Sequence, residues 1–351
     1  MRQRIAVAGS VVVSVLCMLV ARPFAADGPY QFIKDIQIGG EGGWDYLNVD
    51  SAAKRLYVSH ATKVVVVDLA KDTVVGEIAD TPGVHGAVPT SVGRVVVSNG
   101  RGNNASIVDA KTLQTISKVP TEGNPDFILF DPGKKEVYTF NGTGRSASVI
   151  DPVTEKVVAT IPLGGKPEAG AADPGAKRVY VNIENQNNIA VIDTTTHTVV
   201  ANWPIAPGEE AAGLAIDTKT HRLFIGAHNN LMLMMDSTNG KVVAQVPIGA
   251  GVDATWFDPG TGYAFSSCGD GTVTVAHEDS PTKMTVVQTL MTERGARTMA
   301  VDPATHRIYL VAVKYEAPPA APADGAPAPG RGRPTMVANS MRILVYGVNG
   351  K

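Results

Sequence analysis

Polar residues that could bind or react recur in this chain at one repeated place. At equivalent positions they are Asp45, Val84 or His85, Asp126, Glu168, Ala212, Asp253 and Arg297, with Glu209 and Glu210 slightly ahead of Ala212. A second set, one strand further on, reads His60, Asn99, Asn141, Glu184, His228, Ser267 and Lys314. If the repeats close into a ring, both sets converge. Oxygen donors in such number suit a hard cation such as Ca²⁺, which would polarise an ester carbonyl. Asp45, Asp126, Glu168 and Asp253, with the amides of Asn99 and Asn141, would supply them, as in a metal-dependent hydrolase. Imidazoles suit Zn or Cu, and His60, His85 and His228 would make a His-ligated metal or redox site. Without a metal, the same residues form a polar, concave mouth for a small-molecule or protein partner. The GxSxG, HExxH, P-loop, CxxC and EF-hand patterns are absent, so any site must be assembled from separate repeats.

The repeat is clearest from Asn124 to Ile161, where short β-branched and aromatic runs alternate with Asp-Pro-Gly, Asn-Gly and Asp-Pro breaks. That pattern reads as four antiparallel strands, a sheet that needs neighbours to bury its faces. Acidic turns at Asp131, Asp173, Asp217, Asp258 and Asp302 are 42, 44, 41 and 44 residues apart, and Asp50 precedes them by two units. Asp68, Asp109, Asp151, Asp193 and Asp236 mark the same period later in each unit. A fixed period near 42 residues with four strands per unit predicts an all-β fold, a β-propeller. Units beginning near Trp44, Val84, Asn124, Lys166, Glu209, Val252 and Ala296 make it seven-bladed. The seventh unit lacks an outer strand, and Tyr30 to Ile38 has the right alternation to supply it and close the ring. In such a fold the loops carrying both polar sets share one face around the central channel. The Asp turns lie on the other face, with His197, His221 and His306. Trp44 and Trp256 flank the polar set, Trp256 as inter-blade core.

The second strands Arg55-Leu56-Tyr57-Val58-Ser59, Arg178-Val179-Tyr180-Val181-Asn182 and Arg307-Ile308-Tyr309-Leu310-Val311 resemble that of the YVTN repeat. Ser148-Val149-Ile150-Asp151 and Ile189-Ala190-Val191-Ile192-Asp193 fit its third strand. Across nearly the whole chain after residue 26, the pattern is similar to the exported, YncE-like propellers. The resemblance implies the fold and export, and leaves the chemistry open among binding, cofactor-carrying and hydrolytic members.

The first 26 residues read as a signal peptide. Arg2 and Arg4 precede the apolar run Ile5 to Val20, and Ala25-Ala26 marks the cleavage point, with 27–351 as one propeller domain. A periplasmic or secreted protein with no transmembrane domain after cleavage is expected, acting as a monomer. With 31 basic and 33 acidic residues and no basic run, nucleic acid is not indicated as a partner. Cys17 lies in the leader, leaving Cys268 alone, which reads as a small core residue rather than half of a disulfide. Residues 315–340, rich in Pro, Ala and Gly, should form a disordered loop between strands two and three of blade seven.

Overall fold

A computed structural model describes residues 28–316 and 335–350. The segments read from sequence as the leader and the Pro-rich stretch of the insertion lie outside the described residues. Seven four-stranded antiparallel sheets form the blades. In blade three the strands run Pro125–Asp131, Glu136–Asn141, Ser146–Asp151 and Lys156–Pro162, from the axis outward. The other blades repeat this plan, and only two 3₁₀ turns, Gly100–Gly102 and Glu184–Gln186, break it among the described residues. First strands of successive blades touch around the ring, and Leu47–Asp50 of blade one meets Met299–Asp302 of blade seven.

The acidic period has a local cause. Asp131, Asp151, Asp193 and Asp258 each accept a hydrogen bond at Oδ1 from the backbone N–H two residues on, at 2.8–3.0 Å. Such side-chain turns compete with strand extension and so end it. Four residues after the Asp the backbone enters the left-handed region, at Lys135, Glu155, His197 and Gly262 among others. There the N–H bonds back to the Asp carbonyl, as from His306 to Asp302 at 2.8 Å. The turn therefore spends a fixed number of residues, and the period stays nearly constant.

The core lies between blades. Second-strand aromatics Tyr57, Tyr138, Tyr180, Phe224, Phe265 and Tyr309 are all buried. Phe224 of blade five stacks on Phe257 of blade six at 4.8 Å. Trp256 packs against the two clusters flanking blade seven and donates Nε1–H to the Met299 carbonyl at 2.7 Å. Cys268 is buried and unbridged.

Closure comes from the N-terminal strand. Tyr30–Gln37 pairs antiparallel with Arg342–Val348, so blade seven takes its outermost strand from the other end of the chain. The insertion departs and returns as a short ribbon, in which Tyr315 bridges Met336 and Val337 N–H donates to the Lys314 carbonyl at 2.8 Å.

Candidate functional site at the channel mouth

A cavity of about 360 Å³ is walled by the first strands of blades one to six. Its lining includes Tyr46, Phe127, Leu214 and Trp256, with Asp253 as the carboxylate. The mouth lies at the start of these strands: His85, Asp126, Glu168 and Asp253 are each the second residue of a first strand rather than part of the loop before it, and Asp45 alone precedes its strand, which begins at Leu47. Asp45, His85, Asp126, Glu168 and Asp253 come from five blades, and each side chain is partly buried.

Hydrogen bonds to backbone groups, most of them from a neighbouring blade, fix these strand starts. Tyr46 N–H donates to the His85 carbonyl at 2.9 Å, tying blade one to blade two. The Ser98 hydroxyl accepts from Gly86 N–H at 3.1 Å and donates to the Asp126 carbonyl at 2.8 Å, tying blade two to blade three. Ser59 Oγ accepts from Asp45 N–H at 2.7 Å. Asn182 Nδ2 donates to the Gly213 carbonyl, and the Ser267 hydroxyl to that of Arg297. Small polar residues near the end of strand two thus set the orientation of mouth residues. A rigid scaffold is what a site of converging side chains requires.

His85 Nδ1 stands 2.6 Å from Asp45 Oδ2 and 3.2 Å from Asp126 Oδ1. Burial disfavours the imidazolium, yet the hydrogen bond to Asp45, the charges of Asp126 and Asp45 and the contact with Asn124 outweigh it and raise its pKa to about 9. Asp126 is pushed up by burial, pulled down by His85 and raised again by Asp45. Across the mouth, Lys166 Nζ lies 3.1 Å from Glu168 Oε2 and also pairs with Glu184. Arg297 Nε lies 2.8 Å from Asp253 Oδ2. These are ion-pair contacts without hydrogen-bond alignment, because both buried oxygens, Glu168 Oε2 and Asp253 Oδ2, lack a hydrogen-bond partner. Burial first, then Asp126, raises Glu168 to about 7, against the pull of Lys166. Burial raises Asp253 to about 7, countered by Arg297 and reinforced by Asp45 and Glu168. Tyr46 Oη, 3.5 Å from Glu168 Oε1, is buried beneath them and its pKa is well above the ordinary value.

The second polar set is not gathered in the same way. Asn99 and Asn141 are fully buried, and their amides donate to Ser106 and Ser148 of their own blades. They hold strand two to strand three, so the oxygen-ligand set that included them does not form. His60 is buried too, with Nε2 3.1 Å from the Gly39 carbonyl under the preceding loop. His228 and Lys314 are exposed, and Glu184 serves Lys166. The three histidines therefore do not meet. Among the described residues, the one group of three potential metal ligands with donor atoms within 4.8 Å is Asp45, His85 and Asp126. On the opposite face His197, His221 and His306 pair with Glu136, Asp173 and Asp258 of the preceding blades. Lys166, Asn124 and Tyr46 were not singled out from sequence as mouth residues. Each lies within two residues of the repeated polar position, and that proximity was the available signal.

No family model and no curated protein matches the chain. Among solved structures, it is similar to the hydrazine synthase of Kuenenia stuttgartiensis, with a TM-score of 0.69 and 17% identity over 83% of this chain and 95% of that one. It is also similar to a chain of the mitotic checkpoint complex, with a TM-score of 0.71 and 11% identity over 99% of both chains. At such identities the likeness establishes the propeller fold alone.

Proposed function

We propose that this chain is an exported binding propeller of the YVTN-repeat, YncE-like type, and that its channel mouth takes a positively charged ligand group. The observation that carries the reading is the convergence of Asp45, Asp126, Glu168 and Asp253 on one mouth, two of them with a buried oxygen lacking an aligned donor. Buried carboxylates without full hydrogen bonding are costly, and a cation bound among them offsets that cost. The apolar lining beneath, Phe127, Leu214 and Trp256, suits a hydrophobic body on the same ligand. Export rests on the basic start and apolar run of residues 2–20.

The test is calorimetric titration with phenethylammonium, a cation on an aromatic body, against neutral 2-phenylethanol. The ammonium should bind, weaken as salt is raised, and lose about tenfold in affinity with Asp253→Asn or Glu168→Gln. Equal binding of the neutral alcohol, or unchanged affinity in both variants, would overturn the reading.

A further inference from the structure

We infer that a borderline first-row divalent ion, of the Zn²⁺ class, binds between Asp45, His85 and Asp126. The inference rests on the reading of the mouth as cation-accepting and names the cation at the edge formed by blades one to three.

The geometry comes first. A metal with ligands at about 2.1 Å holds neighbouring donor atoms roughly 3.0 Å apart in an octahedron and 3.4 Å apart in a tetrahedron. His85 Nδ1 is 2.6 Å from Asp45 Oδ2 and 3.2 Å from Asp126 Oδ1, so small side-chain rotations would seat an ion. The backbone beneath is already fixed by the Tyr46-to-His85 and Ser98-to-Asp126 bonds.

The surroundings of the imidazole point the same way. A ligating histidine usually donates its other ring N–H to an oxygen that fixes its tautomer. Here the side chain beside Nε2 is that of Asn124. A Cβ built on Gly100 would stand 2.5 Å from His85 Nε2 and 2.8 Å from Asn124 Oδ1, so both atoms crowd that glycine. Asn124 is in turn held through its backbone N–H by Asn103 Oδ1 at 2.8 Å. Nε2 thus faces Gly100 and Asn124, and Nδ1 is the nitrogen turned to the two carboxylates. On binding, the metal takes the Nδ1 lone pair and the proton that Nδ1 shared with Asp45 goes to solvent.

The donor set selects the ion. One imidazole nitrogen and two carboxylate oxygens fit Zn²⁺ or a neighbouring transition ion, whereas Ca²⁺ asks for six to eight oxygens. Three protein donors leave a coordination position for water or for a donor on the ligand.

The experiment is calorimetric titration of the folded, metal-stripped chain with ZnCl₂, with elemental analysis after dialysis. Expected are about one Zn²⁺ per chain, release of a proton visible as a buffer-dependent heat, and no comparable heat from CaCl₂. His85→Ala or Asp126→Asn should weaken binding at least a hundredfold, and Asn124→Ala about tenfold. His221→Ala, on the opposite face, should leave the stoichiometry unchanged. Circular dichroism identifies any variant that fails to fold, and the second ligand variant then decides. Wild-type protein without stoichiometric Zn²⁺, or folded ligand variants binding as wild type, would overturn the inference. If phenethylammonium binds and Zn²⁺ does not, the metal fails and the cation-accepting mouth stands; if neither binds, both fail.

Discussion

Asp253 is held in the channel mouth at the expense of stability. Its folded-state pKa, about 7, lies above the ordinary carboxylate value, and Glu168 behaves alike. Between roughly pH 4 and pH 7 the folded protein binds more protons than the unfolded chain, so its stability falls as pH rises through that window. Removing the charge should reverse this. Asp253→Asn and Glu168→Gln should each raise the melting temperature at pH 8, by about 2 °C if the gain is on the order of 1 kcal/mol, and the gain should fade toward pH 4. Melting curves at the two pH values check it, and a variant less stable than wild type at pH 8 would show that Arg297 or Lys166 already compensates the charge. Such frustration was legible in part from the sequence, since Asp45, His85, Asp126, Glu168 and Asp253 share one repeat position. What the sequence could not show is side-chain direction at the end of strand two. There a one-residue change sends a side chain to the opposite face of the sheet. His60, Asn99 and Asn141 are the last residues of their second strands and are buried, whereas His228 lies one residue past the strand end at Ala227 and is exposed.

At the scale of the elements, repeat chemistry and blade junctions have separate signals. The Asp turns repeat because each uses the same side-chain bond and the same left-handed residue, so the blades could be counted from sequence. The clasp that holds the N-terminal strand carries no such period. Gln288, on the outer strand Lys283–Met291 of blade six, accepts from Tyr30 N–H at 2.9 Å and donates to the Tyr30 carbonyl at 2.8 Å. Tyr30 also sets its ring edge-on to Phe265 at 5.2 Å. The bonds are buried, so Gln288→Ala would leave two backbone groups without partners, at a cost of about 1–3 kcal/mol. Gln288→Glu would keep an acceptor for the N–H and lose the donor, and should fall between wild type and alanine. Urea unfolding of the three proteins tests this ordering. An alanine variant as stable as wild type would assign the clasp to the tyrosine ring alone.

The whole molecule depends on joining chain ends that are far apart in sequence. A ring of seven four-stranded sheets is complete only if blade seven receives its outer strand, and that strand is Tyr30–Gln37. Deleting residues 30–37 would expose Arg342–Val348 as an edge and strip Tyr30 and Ile36 from two inter-blade clusters. The loss should reach beyond blade seven, because first strands touch all around the ring and blades one and six pack against the seventh. We expect the truncated chain to aggregate or to melt well below the full ring. Replacing residues 317–334 with a short Gly-Ser linker removes more chain yet should leave melting unchanged, since Tyr315 and Met336 already pair at the base of the insertion. Calorimetry on the two deletions separates closure from mere length. If the shorter deletion melts as wild type, the seven blades hold their ring through inter-blade packing alone; if only the longer one is neutral, stability resides in the strand that joins the ends. The metal and ammonium titrations should then be lost with the truncated strand, because the mouth residues of blades one to six keep their spacing only while the ring is closed.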